Sequence, residues 1–148
     1  MTQIQKSRVV PFSCEQMYQL VDNVEHYADF LPYFAGSEVH HRTEDEVQAT
    51  LTILAGGMSK SFTTCNRLQK NKMIELRLID GPFHHLEGFW RFDPAPHGSV
   101  ISFDLEFEFS NRMFSMLIGP IFEQVCNKMV DSFCDRAQIL YQDDPIIC

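Results

Sequence analysis

The sequence predicts an α+β fold: a curved antiparallel sheet of six or seven strands laid over one long C-terminal helix. Three observations predict it. Apolar positions alternate with period two from about Gly36 to Phe109 and recur with period 3.6 from Phe114 to Tyr141. Two short helical segments stand before the run of strands rather than between its members, which is not a βαβ order.

Taken in order, Gln3 to Val10 reads as a strand that Pro11 stops. Ser13-x-x-Gln16 is a capping box, and Met17, Tyr18, Leu20 and Val21 behind it give a short helix to about Asp22. A second helical turn covers Val24 to Phe30 and ends at Leu31-Pro32, because the residue before a proline avoids the helical region. Val47, Ala49, Leu51, Ile53 and Ala55 alternate with polar neighbours, and Gly56-Gly57 marks a turn or bulge. Phe62 to Leu68, Met73 to Ile79 and Leu86 to Phe92 continue the sheet, separated by Lys70-Asn71 and Asp80-Gly81-Pro82; Asp93 to Gly98 is the next loop. In the last strand Ile101, Phe103, Leu105, Phe107 and Phe109 face one way, while Ser102, Asp104, Glu106 and Glu108 face the other. That pattern demands one face in the core and one in water.

The C-terminal stripe spans about 28 residues, or about 40 Å of helix, with a kink expected at Gly119-Pro120. A lone helix is too thin to fill a bent sheet, so a cavity is expected between them.

At 148 residues the chain is one domain that can bury a full core without metals or disulfides. Thirteen Phe, four Tyr and one Trp either pack that interior or line a cavity. Five cysteines without a C-x-x-C pair read as reduced thiols in a cytoplasmic protein. No apolar run reaches the length of a spanning helix, and the first residues lack the apolar stretch of a signal peptide. A net charge of −8 opposes binding to DNA. Locally, Ser59 to Ile79 carries Lys60, Arg67, Lys70, Lys72 and Arg77 against only Glu75. Read as strand residues, Lys70 and Lys72 share a face, as do Glu75 and Arg77. This window is either a solvated face or a contact for ribosomal RNA phosphates.

Three stretches carry a family resemblance. They are Val24-Glu25-x-Tyr27-x-x-Phe30-Leu31-Pro32, then Asp80-Gly81-Pro82-Phe83-x-x-Leu86-x-Gly88-x-Trp90-x-Phe92, and Phe103-x-Leu105-x-Phe107-x-Phe109 leading to a helix with Phe122, Ala137 and Tyr141. Over about Ile4 to Tyr141 the chain resembles the coenzyme-Q-binding START-like proteins, the helix-grip subgroup that includes bacterial ribosome association toxins. Ala28 stands where that group usually has proline, and Tyr33-Phe34 where it has an aromatic-cysteine pair. The resemblance implies a helix-grip (START/Bet v 1-like) fold over residues 1–142, with a tail at 143–148. It also implies an apolar tunnel for a polyisoprenoid such as ubiquinone and a second role at the large ribosomal subunit, with no resident cofactor.

Candidate site residues follow from the two readings together. Trp90, flanked at period two by Gly88 and Phe92, is a core anchor or a cavity wall; Gly88 favours the wall by letting a helix or ligand approach. Phe122, Met129 and Phe133 lie on the helix face that meets the sheet, as core or as lining. Tyr27, Phe30, Leu31 and Pro32 form either a gate beside the cavity, suited to a greasy ligand or a transient membrane contact, or a loop tucked into the core. Phe83, with Gly81-Pro82, is the facing lip or a plain hairpin turn.

No catalytic constellation stands out. The adjacent pairs His40-His41 and His84-His85 point to opposite strand faces and cannot share a metal, so none is expected. Neither a nucleophile elbow nor a nucleotide-binding glycine motif is present.

Overall fold

The computed structural model describes residues 1–55 and 57–141; the expected tail and Gly56 lie outside them. Among the described residues, seven antiparallel strands form one sheet: β1 (Thr2–Val10), β2 (Phe34–Arg42), β3 (Glu46–Ala55), β4 (Met58–Gln69), β5 (Met73–Asp80), β6 (Phe83–Ala95) and β7 (Gly98–Phe109). Their spatial order is β1-β7-β6-β5-β4-β3-β2, so consecutive strands from β2 to β7 are hairpin neighbours and β1 closes the far edge on β7. Getting from β1 to β2 requires a crossing of the whole sheet. The crossing is made by α1 (Cys14–Asp22) and a 3-10 helix (Val24–Asp29).

The predicted capping box is present at the start of α1. Ser13 Oγ accepts from the Gln16 amide at 3.1 Å, and the Ser13 amide donates to Gln16 Oε1 at 2.9 Å. Met17, Tyr18, Leu20 and Val21 are buried as their spacing requires. Arg42 on β2 ties the crossing down, reaching Asp22 at 3.1 Å and Glu25 at 2.9 Å. On β7, Ile101, Phe103, Leu105 and Phe107 are all buried, and Phe109 is half-buried at the strand's end.

The C-terminal region departs from expectation. Instead of one kinked helix, the chain forms α2 (Arg112–Leu117) and α3 (Gly119–Tyr141), broken at Ile118. Pro120 cannot supply the amide that would continue the ladder from α2 into α3. The break turns the apolar stripe, leaving Leu117 at 54% exposure although its spacing placed it inside. Leu140, 49% exposed, also falls off the stripe.

A second departure is β6, which runs through Asp93-Pro94-Ala95, expected as loop. Pro94 is tolerated there because β5 pairs with β6 only as far as Arg91, so no ladder partner needs the missing amide.

Candidate ligand cavity

α3 lies across the concave side of the sheet, and the space between is filled largely by rings. Trp90 on β6 stacks on Phe103 of β7 at 4.2 Å between centroids and meets Phe133 of α3 edge-on at 5.2 Å. Phe133 is fully buried and also takes edge contacts from Tyr27 and Phe30, each at 5.4 Å. Further along α3, Phe122 contacts Phe62, Phe83, Phe107 and Phe109. Edge-to-face pairs of this kind add about 0.5–1.5 kcal/mol each beyond the area they bury.

What remains open is an apolar cavity of about 60 Å³. That is room for about two waters, far below the roughly 300 Å³ at which small-molecule pockets begin. The expected guest-sized space is therefore corrected: the chain's many Phe rings occupy most of it.

Of the predicted site residues, Tyr27, Trp90, Phe122 and Met129 line this cavity together. Trp90 is wall and anchor at once. Phe133 and Leu31 are buried beside it without lining it. Tyr27 is tucked into the core: its hydroxyl donates to the Val21 carbonyl, pinning the 3-10 helix to α1, and burial pushes its pKa well up. Phe30 is half-buried, sandwiched between Phe133 and the Arg136 guanidinium, and Pro32 is exposed. Phe83 belongs to a second, smaller apolar crevice of about 10 Å³, lined also by Phe62, Phe109, Phe114 and Phe122. Phe62 and Phe122 are common to both spaces, so the crevice lies on the line from the cavity to α2.

Above that crevice, α2 buries no residue of its own, and Met113, Met116 and Leu117 stand 68%, 74% and 54% exposed. Only half-buried Phe114 and the buried joint Ile118 hold it to the rings below.

Sequence reasoning named four of the residues that line the cavity and passed over the rest, among them its two polar ones. Thr64 and Asn66 are buried on β4 and face the cavity, joined by a 2.8 Å hydrogen bond from Thr64 Oγ1 to Asn66 Oδ1. The signal was there: Phe62, Thr64, Asn66 and Leu68 share one strand parity, and two polar residues sit where the core face predicts apolar ones.

The structure separates the five basic residues. Lys60 lies on the concave side with its ammonium 4.2 Å from the Phe114 ring centroid. Arg67 and Arg77 are on the outer face, each opposite a carboxylate residue, Arg67 across from Glu75 and Arg77 across from Glu87. Lys70 and Lys72 do not share a strand face as expected; they flank Asn71, which takes φ +63° in the β4–β5 turn.

Burial pushes the thiols of Cys14, Cys65, Cys126 and Cys134 above their ordinary value, Cys134 to about 11. They stay protonated near neutrality and are poor nucleophiles.

A twisted antiparallel sheet gripping a C-terminal helix over an apolar interior defines the helix-grip class of START-like folds. The chain belongs to the polyketide cyclase / dehydrase and lipid transport family, which it matches over residues 10–134. It is 40% identical over 142 residues to the ribosome association toxin RatA of Escherichia coli, covering 95% of this chain and 90% of that one. It is 28% identical over 138 residues to the mitochondrial coenzyme Q-binding protein COQ10 of Drosophila melanogaster, covering 90% of this chain and 57% of that one. Among solved structures it superposes on the Zhui aromatase/cyclase of Streptomyces sp. R1128 with a TM-score of 0.78 at 13% identity, covering 98% and 99% of the two chains. No helix among the described residues is long and apolar enough to cross a membrane.

Proposed function

We propose that this chain binds a prenyl lipid of the ubiquinone type between sheet and α3 and carries it without chemistry. The observation that supports this best is the cavity wall itself: apolar and aromatic throughout, with one buried polar pair, Thr64–Asn66, aimed into it. An apolar tail needs burial, worth roughly 25 cal/mol per Å², while a quinone carbonyl needs one donor, which the Asn66 amide can supply. At about 60 Å³ the cavity is too small for such a ligand as it stands, so uptake requires α2 to lift on its Ile118 joint and the rings beneath to part. Met113, Met116 and Leu117 on α2 would then meet the bilayer from which such a lipid is drawn. The relatives named as toxin and binding protein, together with protonated thiols, favour binding over catalysis.

The test is organic extraction of the purified protein with mass spectrometry, followed by titration with short-chain ubiquinone read by quenching of the sole tryptophan, Trp90. No prenyl lipid and no saturable quenching would sink the reading. Replacing both polar partners, Thr64→Val with Asn66→Leu, should leave stability nearly unchanged, because no buried group is orphaned. Quinone affinity should fall about five- to tenfold for the lost hydrogen bond.

A second reading rests on the 40% identity to a ribosome association toxin: the chain docks on the large ribosomal subunit through an outer surface. The β4–β5 turn carries Lys70 and Lys72 outside the strands and is the basic feature offered to phosphate, with Asp22, Glu44 and Asp45 sharing a groove with Lys70. Co-sedimentation with free large subunits at low salt, abolished by Lys70→Glu with Lys72→Glu, is the expected result. No pelleting at low salt ends it.

A further inference from the structure

On the outer face of the sheet, away from the cavity, β6 and β7 bring one imidazole and two carboxylates together. Glu87 lies directly opposite Glu106 in the β6–β7 register. Like charges so placed destabilise a strand pair unless something offsets them. His85 is the nearest candidate. A register shift between Phe83 and His85 lets Phe83 and Leu86 both face inward, and His85, two residues before Glu87, shares its outer side. Its Nε2 lies 3.7 Å from Glu87 Oε1 and 3.5 Å from Glu106 Oε2.

These distances are too long for hydrogen bonds, and Nε2 is shielded from water with no hydrogen-bond partner. One ligand atom from each of the three residues lies within 4.8 Å of the other two. Two ligands held about 2.1 Å from a tetrahedral ion lie about 3.4 Å apart; the two distances from His85 are close to that, and the partly exposed carboxylates need only a small rotation to complete the set. The other groups facing the cluster are Arg77 opposite Glu87, Glu108 opposite His85 and Gln3 opposite Glu106; no ion pair joins Arg77 to Glu87. Glu87 and Glu106 border an open groove, so solvent reaches the cluster.

We infer that His85, Glu87 and Glu106 form a three-ligand site for a divalent transition ion such as Zn²⁺, with the remaining position left to water. The adjacent His84 plays no part, in keeping with strand parity; the missing ligands come from i+2 and from the neighbouring strand. An ion there would neutralise the facing carboxylates and clamp β6 to β7 across the sheet from Trp90 and Phe103.

Untagged full-length protein, stripped with chelator, is titrated with Zn²⁺ by calorimetry and with Co²⁺ by visible absorption. One equivalent should bind saturably, and the Co²⁺ spectrum should lack the intense thiolate charge-transfer band that cysteine ligation would give. His85→Ala and Glu106→Gln should each weaken binding by about tenfold or more. Glu38→Gln, on β2 at the opposite edge of the sheet, should leave it unchanged. Circular dichroism of each variant checks that the fold is kept, and Glu106→Gln, isosteric and half-exposed, stands in should His85→Ala fail to fold. Absence of saturable binding, a thiolate spectrum, or affinity unmoved by both variants overturns the site.

Discussion

Phe133→Ala is expected to lower the free energy of unfolding by about 4 kcal/mol. The ring is fully buried and touches three others, Tyr27 on the 3-10 helix, Phe30 just after it and Trp90 on β6. Removing it forfeits the transfer free energy of the side chain and leaves a cavity that three rigid neighbours cannot collapse into; Phe-to-Ala changes of this kind cost about 3–5 kcal/mol. The measurement is a urea titration, in which the midpoint should fall while the slope is kept. Phe133→Leu, which keeps most of the volume, should cost about 1.5 kcal/mol or less. The same truncation also reports on function. If the interior opens for a lipid by parting rings, the space vacated by Phe133 adjoins the cavity behind Trp90, and short-chain ubiquinone should bind Phe133→Ala more tightly than the parent. A loss under about 1 kcal/mol would mean that the rings around Phe133 are not what holds α3 to the sheet.

The ring lattice also shows where the sequence was legible. Parity located Trp90, Phe103 and Phe107 on the inner face, and helical spacing located Phe122, Met129 and Phe133 opposite them, because both periodicities follow from backbone geometry alone. The volume left between those two faces is not a backbone property. It depends on rotamers and on how deep the sheet bends, and the Phe rings on the two inner faces leave a cavity of about 60 Å³ where a tunnel was expected. Two alternatives stood for Tyr27, Phe30, Leu31 and Pro32, a gate or a loop tucked into the core, and spacing could not choose between them; Tyr27 and Leu31 are buried, with the Tyr27 hydroxyl on the Val21 carbonyl, whereas α2 looked like the first turn of a long helix. Apolar periodicity cannot show that Pro120 frees α2 from α3. The basic window failed as a patch because charge was summed along the chain, while the sheet sets Arg67 and Arg77 against residues of other strands. His85, Glu87 and Glu106 were passed over for the same cause: parity puts His85 and Glu87 on one face, but their meeting with Glu106 depends on cross-strand register.

Gly88→Ala is expected to cost about 3 kcal/mol or more, and larger side chains at this position to prevent folding. From the sequence, Gly88 stood for space beside Trp90 that a helix or ligand could enter. The structure gives a different reason. A Cβ built on Gly88 would sit 2.1 Å from the Asp104 carbonyl oxygen and 2.8 Å from the Leu105 Cα, both backbone atoms of β7. No rotamer change relieves a clash with backbone, so one strand must move away from the other. Those strands carry Trp90 and Phe103, two residues on from Gly88 and two back from Leu105, and their 4.2 Å stack cannot survive such a shift. Gly36→Ala is the matched control, since a Cβ there meets nothing within 4 Å; it should change stability by no more than about 0.5 kcal/mol. Thermal unfolding of the two variants side by side separates the steric effect from the general cost of losing a glycine. Should both melt with the parent, the close approach of β6 to β7 is not what sets the bend of the sheet. If only Gly88→Ala fails, the curvature that brings Trp90 under Phe133, and so the cavity wall itself, depends on one missing side chain facing a neighbouring strand rather than on any contact with a guest.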